Sequence, residues 1–200
     1  MPSAAHIPGH PLHVVRRSVD GQPCFFTEHD RLCYLERLGK GLKAEACALH
    51  AYVLMSNHVH LLVTPSWRLS VVRLMNSLWC EAWSERFEAR PVYPRRYVLA
   101  CMRYIELNPV RARIALGAGD YRWSSYGANA LGEDDLLLTP HGLYAALGRS
   151  SMERRAVYRR GFPDSYAPRT VSITRSGSGG AASARQATWP SGRTSTRRRS

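Results

Sequence analysis

The chain has 200 residues with 44% apolar side chains, which suits one globular domain with its own core. Its formal charge is +13, from 28 Lys and Arg against 15 Asp and Glu, and that balance points to a polyanionic partner, most simply nucleic acid. No apolar run is long enough to span a bilayer and no basic-then-apolar leader opens the sequence, so membrane and secreted classes are set aside and a cytoplasmic protein is expected.

The five cysteines are odd in number and contain no Cys-x-x-Cys pair, which argues against a disulfide framework and against a zinc knuckle. From Ser165 onward there are seven Arg and no acid, so about half of the charge excess sits in a Ser/Gly/Arg-rich stretch that cannot bury a core. The expected division is a domain over 1–162 and a disordered basic tail over 163–200.

Within the domain, Leu12 to Arg17 reads as a first strand and Asp20-Gly21-Gln22-Pro23 as a turn. Thr27 is an N-cap candidate, with Asp30 completing an approximate capping box. From Glu28, apolar residues at Leu32, Tyr34, Leu35, Leu38 and Leu42 have helical spacing, weakened near the end by Gly39 and Gly41. Ala46 to Met55 and Asn57 to Thr64 are two strands joined by the turn pair Ser56-Asn57. A second helix runs from Ser70 to about Trp79, and Trp83 to Val92 is an edge strand limited by Pro91. A third helix spans about Arg95 to Leu107. Asn108 is placed to end it and to cap a short helix that follows, with Pro109 at that helix's first position. Residues 120 to 147 read as loop and short helix. The order β-α-β-β-α-β followed by helices defines an α+β, ferredoxin-like antiparallel sheet with helices on one face.

Side chains alternate along a strand, so His58 and His60 share a face while Val59, Leu61 and Val63 point into a core. Two neutral imidazoles on a rigid strand can hold one cation, although a strand histidine is more often a packing or surface residue. On the third helix, Tyr104 and Asn108 are four residues apart and share a face. A tyrosine oxygen and an amide oxygen on that face suit nucleophilic attack on a phosphodiester beside a metal ion, and equally suit a half-buried helix tyrosine with a simple cap.

Tyr52-Val-Leu-Met-Ser-Asn-His58-Val-His60-Leu-Leu-Val, then Tyr104-Ile-Glu-Leu-Asn108-Pro109-Val-Arg111-Ala, then Tyr121-Arg-Trp123-Ser-Ser-Tyr126 together resemble the single-tyrosine HUH transposases. The branch resembled is that of the REP-associated tyrosine transposases and the small insertion-sequence transposases. The resemblance covers about residues 7 to 150. It implies a ferredoxin-like fold and a homodimer acting on single-stranded or hairpin DNA in a bacterial cytoplasm, associated with the nucleoid. It implies that His58 and His60 hold Mg²⁺ or Mn²⁺ with Asn108 as third ligand. It also implies that Tyr104 is the nucleophile, taking a 5′-phosphate and leaving a 3′-hydroxyl. Where family members continue the second helix through a longer basic-aromatic segment and a Gly-rich loop, Ser77-Leu78-Trp79-Cys80-Glu81-Ala82 runs almost straight into Trp83.

Three functions follow: a DNA-cleaving and rejoining transposase, a degenerate relative that binds DNA hairpins without cutting, and a metal hydrolase or zinc-stabilised module. The third lacks the Asp-His that many His-x-His hydrolases carry next, since Leu61-Leu62-Val63 follows here. For the first, Arg16, Arg17, Arg86, Arg103, Arg111 and Arg113 are candidates to contact phosphates. Trp79, Trp83 and Tyr97 are candidates to stack unpaired bases.

Overall fold

The structure is a computed structural model that describes residues 7–162; the segment read as a basic tail lies outside the described residues. The strands are β1 (Leu12–Ser18), β2 (Cys47–Leu54), β3 (His58–Pro65) and β4 (Trp83–Pro91). The helices are α1 (Glu28–Ala44), α2 (Ser70–Ser77), α3 (Val98–Glu106), α4 (Asn108–Arg111), α5 (Gly142–Ala145) and α6 (Ser151–Arg159). The four strands form one sheet in the order β2-β3-β1-β4, with every pairing antiparallel. This is the expected ferredoxin-like arrangement, and β1 and β3 are its central pair.

Two helices start on capping boxes. Thr27 accepts from the Asp30 amide, and the Asp30 carboxylate accepts in return from the Thr27 amide at 2.8 Å, closing the expected capping box on α1. Gly39 and Gly41 do not end α1. A Cβ at Gly41 would stand 2.7 Å from a Leu74 methyl, so the glycine lets α2 approach closely while the helix runs on to Ala44. The helix α6 is absent from the sequence reading although Ser150 and Glu153 form a capping box at its start.

The sheet is covered on both faces by different elements. On one face Val59, Leu61 and Val63 of β3 meet Leu12 and Val14 of β1, Tyr34 and Leu38 of α1, and Val71, Leu74 and Met75 of α2. All are buried, and burying each aliphatic side chain contributes about 1.5–3 kcal/mol. On the other face Ala51, Val53 and Leu62 pack against Val98, Met102 and Ile105 of α3, with Ala130, Tyr144 and Tyr158 behind them. The sequence order places α1 and α2 on one face; the C-terminal elements then take the opposite one. That opposite face carries His58 and His60, so α3 lies across the histidine side of the sheet.

The α3 helix is fastened from behind by a buried carboxylate. Glu106 is fully buried, and its Oε1 accepts from Ser125 Oγ at 2.7 Å and from Asn129 Nδ2 at 2.8 Å. Its Oε2 accepts from the Tyr158 hydroxyl at 2.8 Å. One side chain of α3 thereby binds the segment after Tyr121 and α6 together. No helix among the described residues is long and apolar enough to cross a membrane.

Candidate active site

The site begins with strand register. In β1–β3 pairing Arg17 faces His58, Val15 faces His60 and His13 faces Leu62. In β1–β4 pairing Glu88 faces Val15 and Arg90 faces His13. Paired residues of an antiparallel sheet share a face. His13, Val15 and Arg17 of β1, Glu88 and Arg90 of β4, and His58 and His60 of β3 therefore line the same side. Tyr104 descends onto this face from α3. A cavity of about 360 Å³ is bounded by His13, Val15, Arg17, His60, Glu88, Arg90 and Tyr104.

The two β3 histidines are oriented through their Nδ1 atoms. His58 Nδ1 lies 2.8 Å from Asn57 Oδ1. The Asn57 amide nitrogen donates to the Gly21 carbonyl at 2.9 Å, which fixes the oxygen toward His58. An amide oxygen only accepts, so His58 Nδ1 carries the proton and Nε2 is the basic atom. His60 Nδ1 lies 2.9 Å from His13 Nε2, and the His13 and His60 rings stack at 5.1 Å between centroids. The His58 and His60 rings meet edge to face at 5.0 Å.

Electrostatics keep these rings neutral. Burial, with the neighbouring His13, His58 and Arg17, pushes His60 down to about 3. Burial and Arg17 lower His58, and burial and Arg90 lower His13 against an opposing pull from Glu88. A neutral imidazole with its Nδ1 engaged presents Nε2 as a lone-pair donor, the state a metal ligand requires.

Tyr104 is 41% exposed. Its ring stands edge-on to His13 at 5.8 Å and to His60 at 6.2 Å. The Arg111 guanidinium lies 4.7 Å from the same ring. Asn108 Nδ2 donates to the Tyr104 carbonyl at 2.9 Å and to the Ile105 carbonyl at 3.2 Å. Asn108 therefore closes the end of α3, as expected, but does not cap α4, which has no side-chain cap. This leaves its Oδ1 without a hydrogen bond among the described residues. Two imidazole Nε2 atoms and one amide oxygen are a donor set that fits a hard or borderline divalent cation. Among the described residues no group of three or more His, Cys, Asp or Glu side chains is placed to hold a metal ion.

The remaining sequence candidates separate. Arg17 lines the cavity, Arg111 sits on Tyr104, and Arg86 and Arg113 are exposed. Arg103 turns the other way, with its guanidinium 5.4 Å from the Tyr158 ring. Arg16, expected on the surface, is 1% exposed; it donates to the Met75 carbonyl and lies over Phe87. Its strand position puts it on the core face with Leu12 and Val14, so it is not a phosphate contact. Trp83 is likewise buried and cannot stack a base, while Trp79 and Tyr97 are exposed. His13, Glu88 and Arg90 are site residues absent from the sequence reading. The sequence signal for His13 is its parity with Arg17 on β1, the strand that pairs with β3.

The fold and this face together define a ferredoxin-like domain with a histidine pair facing a helix-borne tyrosine. The family model described as "Transposase IS200 like" matches residues 8–87, the stretch from the approach to β1 through most of β4. Over that stretch the chain is similar to the IS200-like transposases. A solved structure of a REP-associated tyrosine transposase bound to a REP hairpin has the same fold, with a TM-score of 0.55 at 13% identity over 70% of this chain and 98% of that one. No curated protein matches the chain. The family match contains His58 and His60 but ends before Tyr104 and Asn108, which rest on the motif wording and on the geometry above.

Proposed function

We propose that this protein is a DNA transposase that cleaves and rejoins single-stranded DNA through a covalent 5′-phosphotyrosine at Tyr104. The observation that carries the reading is the meeting of Tyr104 with His60 and His13 over one arginine-lined cavity. In the reaction the Tyr104 oxygen attacks phosphorus, a Tyr104 O–P bond forms, and the P–O3′ bond breaks. The leaving 3′-oxygen ends as a hydroxyl, and the proton lost by the phenol balances it. The link conserves the phosphodiester, so a later attack by a 3′-hydroxyl reverses the chemistry without a nucleotide cofactor.

His58, His60 and Asn108 are the residues that would hold Mg²⁺ or Mn²⁺, which supplies charge neutralisation at the phosphate oxygens when bound. Arg17 and Arg111 hold the phosphate and add positive potential beside Tyr104. The fold neighbour was solved on a REP hairpin, and a hairpin with single-stranded flanks is the substrate proposed here too. The resemblance adds a homodimer, which sedimentation of the protein would detect.

A second reading is a hairpin binder that no longer cuts. It is supported by the brevity of α2, which spans eight residues, Ser70–Ser77, before the chain turns into β4 at Trp83. One assay separates the two: an end-labelled hairpin oligonucleotide pool incubated with Mn²⁺ or chelator, beside Tyr104→Phe. A covalent band that needs metal and disappears in Tyr104→Phe is the expected result. A native-gel shift with no covalent band would overturn cleavage in favour of binding alone.

A further inference from the structure

Tyr104 is the wall between two different cavities. The polar one, described above, carries Arg17, Glu88 and His60. The second, about 460 Å³, shares His13, Arg90 and Tyr104 with it and continues outward over Tyr93, Tyr97, Ala100 and Cys101. Its volume lies within the ~300–1,000 Å³ range usual for small-ligand pockets. Its outer lining is aromatic and apolar, and the aromatics are exposed: Tyr93 at 78% and Tyr97 at 48%. The Arg96 guanidinium lies 5.2 Å from the Tyr97 ring.

Neither helix packing nor capping accounts for this lining. Val98 and Met102 of α3 face the core, while Ala100 and Tyr104 face outward on the same helix. A small residue at Ala100, between the Tyr97 and Tyr104 rings in sequence, leaves the space open.

We propose that the second cavity is a nucleobase pocket: it takes one unpaired base of the nucleotide whose phosphate faces Tyr104. The inference rests on the reading of Tyr104 as nucleophile. The two cavities match the two halves of a nucleotide, an anion beside Arg17 and Arg90 and a flat apolar ring beside Tyr93 and Tyr97. Aromatic stacking is tolerant of base identity because every base has a π-face. The pocket therefore selects for an unpaired base rather than for a particular one, and it aligns the scissile phosphate by holding its neighbour. A base-paired nucleotide cannot enter without unstacking, so the pocket directs cleavage to single-stranded flanks.

The test uses full-length Tyr104→Phe protein in chelator, so that no cleavage occurs and the ring wall is kept. The probes are hexathymidylates carrying one 2-aminopurine at each position in turn, read by emission and by anisotropy. The expected result is saturable binding with emission falling several-fold at one or two adjacent positions. Tyr97→Ala and Ala100→Trp, which change the pocket from two different segments, should each restore the emission and weaken binding roughly 5- to 150-fold. Thermal melts of both variants show that they are folded. Absence of binding, uniform emission at every position, or quenching unchanged by Ala100→Trp would overturn the proposal. A wild-type covalent adduct without quenching sinks the pocket alone, and quenching without an adduct sinks cleavage alone.

Discussion

His13 of β1 and His60 of β3 are joined through their rings, Nε2 of the first lying 2.9 Å from Nδ1 of the second. They are diagonal neighbours rather than register partners, because His13 pairs with Leu62 and His60 with Val15. If His60 holds the proposed cation through Nε2, its ring proton would sit on Nδ1 and be donated to His13. On the proposed function His13 positions His60 as Asn57 positions His58. Such partners typically account for ten- to a hundred-fold in metal affinity. His13→Ala is expected to raise the Mn²⁺ dissociation constant by about 10- to 100-fold, with the melting temperature little changed because His13 sits at the edge of a cavity. Titration of Mn²⁺ into the free protein followed by electron paramagnetic resonance measures it, and an unchanged constant would refute the role.

Asn108 combines two tasks that substitution can separate. Its amide nitrogen closes the end of α3, and its oxygen is the proposed third ligand of the cation. Asn108→Ala removes both, costing about 0.5–1.5 kcal/mol of stability for the lost hydrogen bonds together with weaker Mn²⁺ binding. Asn108→Asp keeps an oxygen ligand but loses the donor and sets a negative charge at a helix C-terminus. It should melt at least as low as the alanine variant while retaining Mn²⁺ binding. Equal loss of metal binding in both variants would remove Asn108 from the ligand set.

Burial holds the Glu106 carboxyl at about 7, above its ordinary value, despite hydrogen bonds from Asn129, Ser125 and Tyr158 that favour the charged form. The folded state therefore binds a proton that the unfolded chain has released between about pH 4.5 and 7. Stability falls as pH rises through that window and levels off above it. Glu106→Gln keeps both hydrogen-bonded positions, with its NH₂ facing a Tyr158 hydroxyl that can accept. It removes this dependence, so its stability relative to the parent should be greater at pH 8 than at pH 5, by on the order of 2–3 kcal/mol. Urea melts at the two pH values give the comparison, and a difference of opposite sign would show that the carboxylate is ionised in the fold throughout.

The sheet, its order of elements and the histidine face were legible because period-two alternation and turn chemistry act locally. The Ser56-Asn57 turn, the Thr27 capping box and the inward row Val59, Leu61, Val63 all need only neighbouring residues to be read. What was not legible depends on tertiary pairing. His13 acquires meaning only from its diagonal contact across β1 and β3, and Glu106 only from Ser125, Asn129 and Tyr158 far along the chain. The side of the sheet on which α3 lands follows from apolar residues of the C-terminal segment that show no long periodic run. Gly39 and Gly41 sit within α1 for a related reason: they allow close approach of Leu137 and Leu74, which outweighs their cost to helix propensity.

Adjacent arginines of β1 make the last prediction, and it follows from strand parity. Arg17 is exposed in the cavity with His60, whereas Arg16 is buried, with Nε and Nη2 lacking any hydrogen-bond partner in the structure. Burial lowers the pKa of Arg16, which marks a charge held without full compensation. Replacing such a group by an apolar one of similar length is often neutral or stabilising. Arg16→Met should therefore melt at or above the parent temperature and leave the affinity for a hairpin oligonucleotide and its salt dependence unchanged. Arg17→Ala should do the reverse, keeping the melting temperature while weakening binding and lowering the slope of log affinity against log salt by about one. Anisotropy titrations across a salt series, beside melts of both variants, decide it. An Arg16→Met variant that loses DNA affinity while remaining folded would show that the buried guanidinium reaches the nucleic acid in the complex.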